Sequence, residues 1–214
     1  MSAPVSVAGR QVWAAVRALL LATVVLGLVY PLVVSGVARL IAPGRADGSL
    51  VHAGGQVVGS SLIGQSFTDA NGDPLPQYFQ SRPSASDYDG RASGGSNLGP
   101  NSPELAKLTE QRRAEVAAFD GVLPSQVPPD AVTASASGLD NGISPAYAAI
   151  QVDRAGGDQV ERGEMRVARE RGMPVAQVRS LVDDATVGRD LGFIGAPYVD
   201  VLQLNLALDR ASGR

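Results

Sequence analysis

The chain has 214 residues, enough for one or two domains, and a net charge of −3 at neutral pH. It has no cysteine, one histidine and one lysine that lies in no P-loop pattern, which argues against thiol chemistry, a multi-histidine metal site and a P-loop NTPase. Residues 1–46 hold four of the 18 basic residues and no acid, so residues 47–214 carry 14 basic against 21 acidic side chains, a net charge of −7. Such an acidic body argues against nucleic acid as a partner.

The first predicted element is a membrane-spanning helix at about residues 14–38. The stretch 18–38 contains 21 residues without a charge. At about 1.5 Å per residue it matches the roughly 30 Å hydrocarbon core of a bilayer. It is longer than the apolar part of a signal peptide and lacks the polar face of a core helix, so we expect a retained single span. Gly27, Ser35 and Gly36 are small residues at which partner helices could approach closely.

Two further features of the span concern its shape and orientation. Pro31 is expected to kink the helix, because its ring removes one backbone hydrogen bond. Arginines lie on both sides of the apolar run, two before it and two after it, so charge leaves the orientation in the membrane undecided.

After a short linker at 43–49, the sequence predicts β-structure. LVHAGGQVV (50–58) predicts a hairpin that turns at Gly54 and Gly55, and SLIGQSF (61–67) predicts a further strand. Residues 78–100 show little periodicity and are expected to form loops.

The second half predicts helices between short strands. Pro103 opens a helix with Asn101 or Ser102 as its N-cap and Gly121 at its end, and further helices are expected at 145–152, at 160–171 and after Pro174. AVTASA (131–136) predicts a short strand. VDVLQLNLAL (199–208) predicts a last strand, because leucines alternate with polar or small residues. The fold class is therefore α+β: one N-terminal transmembrane helix (within 1–46, with a tail and the start of the linker) followed by a mixed globular domain (47–214).

One loop has the composition of an anion site. SGGSNLGP (93–100) precedes the helix at Pro103, and its first five residues could direct backbone N–H groups at a phosphate. These candidate binding residues are Ser93, Gly94, Gly95, Ser96 and Asn97. The alternative is a tight turn whose serine and asparagine side chains bond to their own backbone.

Other polar residues also permit two interpretations. Asp140 could be a general base or a metal ligand, or a turn former before Asn-Gly. Arg82 could contact phosphate, or be a surface arginine paired with Asp87, Asp89 or Glu115. A serine hydrolase would have to use His52 with Ser93 or Ser135. No acid lies near His52 in sequence, so a solvated or packed histidine is the simpler expectation. The residues alone thus predict a membrane-anchored accessory protein rather than an enzyme.

Five motifs in order carry a family resemblance: GSSLIGQSF, YFQSRPSA, SGGSNLGPNSPEL, VTASASGLDNGISP and VDVLQLNLALD. Together they resemble the C subunit of the bacterial potassium-transporting Kdp ATPase, over nearly the whole chain. The resemblance implies a non-catalytic subunit of an ATP-driven potassium uptake complex that stabilises the assembly and raises the ATP affinity of the catalytic P-type subunit. The DKTGT motif on which that catalytic subunit forms its aspartyl phosphate is missing here.

The resemblance also implies partners and a location. The partners are the catalytic subunit, the potassium-conducting subunit and a small membrane subunit, and the transported ion is potassium. The chain would cross the bacterial plasma membrane once, with its globular domain outside the cytoplasm. ATP is cytoplasmic, so any effect of the 93–97 loop on ATP would act through the complex. The residues expected to contact partners are Gly27, Ser35, Gly36, Arg82, Asn97 and Asp140.

The sequence departs from the family pattern at one place. An insert at 153–164 separates Gln151 from Arg166, which follow each other closely in the usual pattern. Long surface insertions cost little stability, so the fold is expected to survive. Any family role of the stretch from Gln151 to Arg166 is in question in this chain.

Overall fold

The computed structural model describes residues 7–152 and 166–213 and divides the chain into two compact units, Met1–Leu50 and Val51–Arg214. The insert at 153–164 and the first residues of the helix predicted at 160–171 lie outside the described residues. The α+β fold class is confirmed, with one long apolar helix near the N-terminus and a mixed region of helices and small sheets after it.

From residue 7 onwards the N-terminal unit is almost entirely helical. It consists of α1 (Val7–Val24), a π-helical turn (Val25–Val29), α2 (Tyr30–Ile41) and the single turn α3 (Pro43–Ala46). Among the described residues, 7–41 form the one helix that is long and apolar enough to cross a membrane, and none of it is buried. The π-helical turn comes just before Pro31, which has no N–H to continue the regular hydrogen-bond ladder.

The strands of the C-terminal unit form two small sheets. The predicted hairpin is confirmed as β1 (Leu50–Ala53) and β2 (Gln56–Ser60), and both turn glycines have positive φ. The second sheet is antiparallel with the order β3–β5–β4: β3 (Gly142–Ile143), β4 (Thr186–Val187) and β5 (Tyr198–Asp200). Val199 of the central strand faces Ile143 on one side and Thr186 on the other.

Helices supply most of the core. They are α4 (Pro103–Asp120), α5 (Pro129–Val132), α6 (Pro145–Val152), α7 (Arg166–Arg171), α8 (Val175–Asp184) and α9 (Val201–Ser212). Of these helices, α6 and α9 pack against β5. The predicted boundaries of α4 are confirmed: the Ser102 side chain accepts a hydrogen bond from the N–H of Leu105, and Gly121 ends the helix in the left-handed conformation. The largest apolar side chains of the core with almost no exposure are Phe79, Val132, Ile143, Val167, Val178, Val199, Val201, Leu204 and Leu208.

The prediction of a strand at 199–208 is wrong for most of its length. The strand ends at Asp200, whose side chain accepts a hydrogen bond from the N–H of Gln203 and so caps α9. Four of the five buried residues of α9 follow the helical spacing i, i+3, i+4 and i+7 (Val201, Leu204, Asn205 and Leu208), and the fifth is Leu202. The alternating leucines fit both the two-residue period of a strand and the 3.6-residue period of a helix. The N-cap at Asp200 shows that the helix forms.

Two other predicted strands are also wrong. Residues 131–136 begin inside the helical turn α5, which two successive prolines favour by fixing φ at its start. Residues 61–67 form only an isolated bridge between Ser60 and Ile63, and the N–H of Gly64 bonds to the carbonyl of Leu139 in a distant loop. This segment therefore satisfies its backbone through loop contacts instead of a strand ladder.

Candidate partner-binding site

Residues 76–82 (PQYFQSR), which we call the central segment, begin in a turn and continue without regular secondary structure. The side-chain amide of Asn205 accepts from the N–H of Phe79 at 2.9 Å and donates to its carbonyl at 3.0 Å. Gln151 does the same for Gln80, at 2.6 and 3.1 Å. Two side-chain amides thus take the place of a neighbouring strand, and they satisfy backbone groups that would otherwise be buried without partners.

A buried arginine holds the start of the central segment. Arg166 of α7 forms an ion pair with Asp120 of α4 at 2.9 Å, and both side chains are almost fully buried. Its guanidinium also donates to the carbonyls of Pro76 and Tyr78, at 2.7 and 2.8 Å. Burial raises the pKa of Asp120 and lowers the pKa of Arg166, and the ion pair opposes both shifts. One guanidinium therefore fixes two helices and a loop at a single point.

The two sides of the insert meet at this arginine. Arg166 donates to the side-chain oxygen of Gln151 at 2.9 Å, although 15 positions separate them in sequence. In this chain the stretch whose family role the insert put in question therefore has a direct Gln151–Arg166 contact. None of these four residues, Asp120, Gln151, Arg166 and Asn205, was predicted from the sequence to have a role. For Gln151 and Asn205 the available signal was a polar residue among apolar neighbours in α6 and α9, whereas α4 and α7 contain many other charged residues.

The end of the central segment reaches the predicted site residues. Arg82 donates to Asp140 at 2.7 Å. Arg82 therefore pairs with a carboxylate, as its simpler interpretation predicted, but with Asp140 instead of Asp87, Asp89 or Glu115. Asp140 also accepts a hydrogen bond from Ser137 at 3.2 Å. The hydroxyl of Tyr88 donates to the carbonyl of Arg82, and burial raises the pKa of Tyr88 to about 12. The Arg82–Asp140 pair is half-buried and held in place from both sides.

The 93–97 loop docks on the loop that contains Ser137. The N–H of Gly94 and the hydroxyl of Ser93 both donate to the carbonyl of Ser137, at 2.8 and 3.0 Å. A Cβ at Gly95 would meet the carbonyl oxygen of Ala136 at 3.0 Å, so glycine permits the close approach. Because one amide of the loop is already bonded, the geometry is that of a docked turn, and an anion site here stays a prediction.

The two loops present a shared surface. Asn97 has a left-handed backbone (φ 55°) and is exposed, as is Ser96 beside it. Ser137 connects the loop to the ion pair, because its carbonyl accepts from the 93–97 loop while its hydroxyl donates to Asp140. The structure therefore brings the 93–97 loop together with the Arg82–Asp140 pair in one cluster, which we call the loop cluster (residues 82, 93–97 and 135–140).

The predicted contact residues of the span lie in the N-terminal unit. Gly27 is in the π-helical turn, and Ser35 and Gly36 are in α2. All three are exposed, and nothing lies within 4 Å of a Cβ built at either glycine. Their role as helix contacts stays a prediction.

The residues of the hydrolase alternative do not form a catalytic arrangement. Ser135 is 1 % exposed and its hydroxyl lies 3.1 Å from that of Ser137. His52 is exposed on β1, and within the described residues no hydrogen bond joins it to Ser93 or Ser135. The same part of the chain contains no group of three or more histidine, cysteine or acidic side chains able to hold a metal ion.

The family model and the similar proteins that match this chain all indicate the same family. The family described as K+-transporting ATPase, c chain, matches residues 12–210. A potassium-transporting ATPase KdpC subunit of Kineococcus radiotolerans is 51 % identical over 205 residues, 95 % of each chain. The KdpC subunits of Beijerinckia indica and Streptomyces coelicolor are 47 % and 43 % identical, over 89 % and 97 % of this chain and 89 % and 96 % of their own. The chain belongs to the KdpC family, the c chains of the K+-transporting ATPases.

Proposed function

We propose that this chain is a non-catalytic subunit of a potassium-transporting ATPase complex. It stabilises the assembly and acts as a catalytic chaperone that raises the ATP affinity of the catalytic P-type subunit. Family membership supports the assignment of this chain to an ATPase complex. The loop cluster is the observation that supports a non-catalytic role. Its polar side chains are bonded to one another, as in Arg82–Asp140 and Ser137–Asp140, so it is a fixed surface for binding rather than a set of free reactive groups.

The proposed partners divide between the two units. The span contacts membrane helices through Gly27, Ser35 and Gly36, and the small membrane subunit is among the candidates. The loop cluster, with Arg82, Asn97 and Asp140, contacts the potassium-conducting subunit on the outer side of the plasma membrane. ATP stays on the cytoplasmic side, so the effect on ATP affinity passes through the complex.

The charge of the globular region suits a position near an ion entrance. Residues 47–214 carry a net charge of −7, which raises the local concentration of cations such as potassium. This effect reaches only about 8 Å at physiological salt, because mobile ions screen it.

Enzyme kinetics of the purified complex test this proposal. The complex without this chain is expected to need more ATP for half-maximal hydrolysis, and adding the chain back lowers that concentration. Asp140→Asn, which removes the charge that faces Arg82, is expected to weaken the effect. Asp89→Asn is the matched control, because Asp89 pairs with Arg91 at the exposed surface. Phosphate release by the isolated chain, or an unchanged ATP requirement without it, would contradict the proposal.

The orientation can be tested separately with a single chemical label. The chain has no cysteine, so Asn97→Cys creates a unique thiol on the exposed 93–97 loop. A membrane-impermeant maleimide is expected to label this variant in intact cells but not in sealed inverted vesicles. The reverse labelling pattern would place the loop in the cytoplasm. The loop and ATP would then lie on the same side of the membrane, and an effect through the complex would no longer be required.

A further inference from the structure

The membrane-spanning helix continues well beyond its apolar run on the N-terminal side. Residues 7–41 form one helix of 35 residues. At 1.5 Å per residue it is about 52 Å long, whereas the uncharged run at 18–38 already matches the roughly 30 Å hydrocarbon core. Residues 7–17 therefore extend the helix about 16 Å past the edge of the core. The headgroup layer is only about 5–8 Å thick on each side, so this extension passes through all of it.

Three residues of the extension lie on one face of α1. Arg10, Trp13 and Arg17 are separated by three and four positions, which places them within about one sixth of the helix circumference. All three are exposed, Trp13 by 60 %. The guanidinium carbon of Arg17 lies 5.8 Å from the centroid of the Trp13 ring, so these two side chains are direct neighbours. We call Arg10, Trp13 and Arg17 the basic face.

The basic face lies at the depth of the lipid headgroups. Arg17 directly precedes the apolar run, and along the helix axis Trp13 lies about 7 Å and Arg10 about 12 Å outside it. Tryptophan is favoured at this depth, because its ring is apolar and its N–H is polar. Arginine side chains are long enough to move their charged ends several ångströms along the helix. The two guanidinium groups therefore meet the phosphate layer from either side of Trp13.

No acidic residue of this part of the chain neutralises the basic face. The first acidic residue in the sequence is Asp47, which follows the other end of the apolar run and pairs there with Arg39 at 3.5 Å. A guanidinium presents parallel N–H donors whose spacing matches two oxygens of one phosphate. The basic face thus has the charge and the donors for a phosphate group.

We infer that the basic face binds the headgroup of an anionic phospholipid. Arg10 and Arg17 donate hydrogen bonds to its phosphate oxygens, and the Trp13 ring packs beside its glycerol backbone. The occupant follows from the position of the face, because the same helix crosses the membrane that supplies this lipid. The inference goes beyond the role of the chain in the ATPase, since it concerns lipid bound by the span.

Tryptophan fluorescence in vesicles tests the inference. Trp13 is the one tryptophan of the chain, so its fluorescence reports on the basic face alone. The full-length chain is placed in vesicles of phosphatidylcholine and phosphatidylglycerol, and one lipid at a time carries bromine, a quencher of tryptophan, near the glycerol end of its acyl chains. Brominated phosphatidylglycerol is expected to quench more strongly. An arginine near an anionic surface contributes about fivefold, so the preference is expected to reach at most about thirtyfold.

Two double variants with the same loss of charge decide the outcome. Arg10→Gln with Arg17→Gln is expected to remove the preference for phosphatidylglycerol. Arg39→Gln with Arg45→Gln, at the other end of the apolar run, is expected to keep it, and circular dichroism checks that both variants remain helical. Equal quenching by the two lipids in the wild-type chain overturns the inference and leaves the arginines to an acidic protein partner. A preference that both double variants keep, or that both lose equally, also overturns it, because the basic face would then have no part of its own.

Discussion

The side-chain amide of Asn205 gives the sharpest test of how the central segment is held. Asn205→Asp changes the shape of the side chain very little, so it leaves no cavity. It keeps the oxygen that accepts from the N–H of Phe79 and replaces the N–H₂ group that donates to the Phe79 carbonyl at 3.0 Å. An ionised carboxyl would face that carbonyl at a position that is 1 % exposed. The introduced group is therefore expected to bind a proton in the folded state, because a neutral carboxyl can both donate and accept.

The cost follows from the proton that must be bound. An unfolded aspartate has a pKa of about 3.9, and each pH unit above it adds about 1.4 kcal/mol to the cost of keeping the folded group neutral. At pH 7 the variant is thus expected to lose at most about 4 kcal/mol of unfolding free energy relative to wild type. The folded pKa is raised, so the native state binds the extra proton. The variant matches wild type below about pH 4 and loses stability as the pH rises.

Denaturant unfolding of the full-length chain in detergent, followed by circular dichroism at pH 4 and pH 7, measures this difference. Asn101→Asp is the matched control, because it adds the same charge at an exposed position beside the start of α4. Its effect is expected to stay within about 0.5 kcal/mol at both pH values. A loss for Asn205→Asp that is the same at pH 4 and pH 7 would refute the proposed amide pairing, since a missing hydrogen bond alone does not titrate.

Three further changes test the packing around this segment. Gly138→Ala is expected to destabilise the loop cluster by about 2 kcal/mol or more in thermal unfolding, because Gly138 has a φ of 71° and an added Cβ would lie 2.7 Å from the Gly94 carbonyl oxygen; an unchanged melting temperature would contradict this. The pKa of Tyr88 is raised from 10.0 to about 12, so wild-type stability is expected to fall as the pH rises from 10 to 12, by up to about 3 kcal/mol more than in Tyr88→Phe; parallel pH profiles would disprove it. Asp120→Ala is expected to cost about 3–5 kcal/mol because it leaves Arg166 buried without its ion pair, and a further Arg166→Met substitution should recover part of that loss in the same assay.

Local signals in the sequence predicted the parts of the fold that depend on neighbouring residues. The serine N-cap and the glycine C-cap of α4 could be predicted from the sequence, because each acts within one turn of the helix end where it lies. The β1–β2 hairpin could be predicted for the same reason, since the two adjacent glycines at its turn adopt the positive φ angles that the turn requires. The last element was misassigned because alternating leucines fit both periods, and the cap at Asp200 lay inside the stretch read as a strand.

The candidate site was predictable only in part. The 93–97 loop, Arg82 and Asp140 were found from composition and turn chemistry, and the structure places them in one cluster. Their mutual contacts were not predictable, because the bonds join residues 44 to 58 positions apart. The pairing of Asn205 with Phe79 spans 126 positions, so no local pattern could have revealed it.

The central segment also holds together the two sides of the insert. Gln151 and Arg166 are each bound to partners on the N-terminal side of the insert, at Gln80 and Asp120, so both ends of the inserted stretch have fixed positions. Closing a longer loop between fixed ends adds only about 0.6 kcal/mol for each doubling of its length. Losing the Asp120–Arg166 pair would cost several times more, about 3–5 kcal/mol. The stability of this region is therefore governed by the side chains that hold the central segment, and the length of the connection between them is secondary.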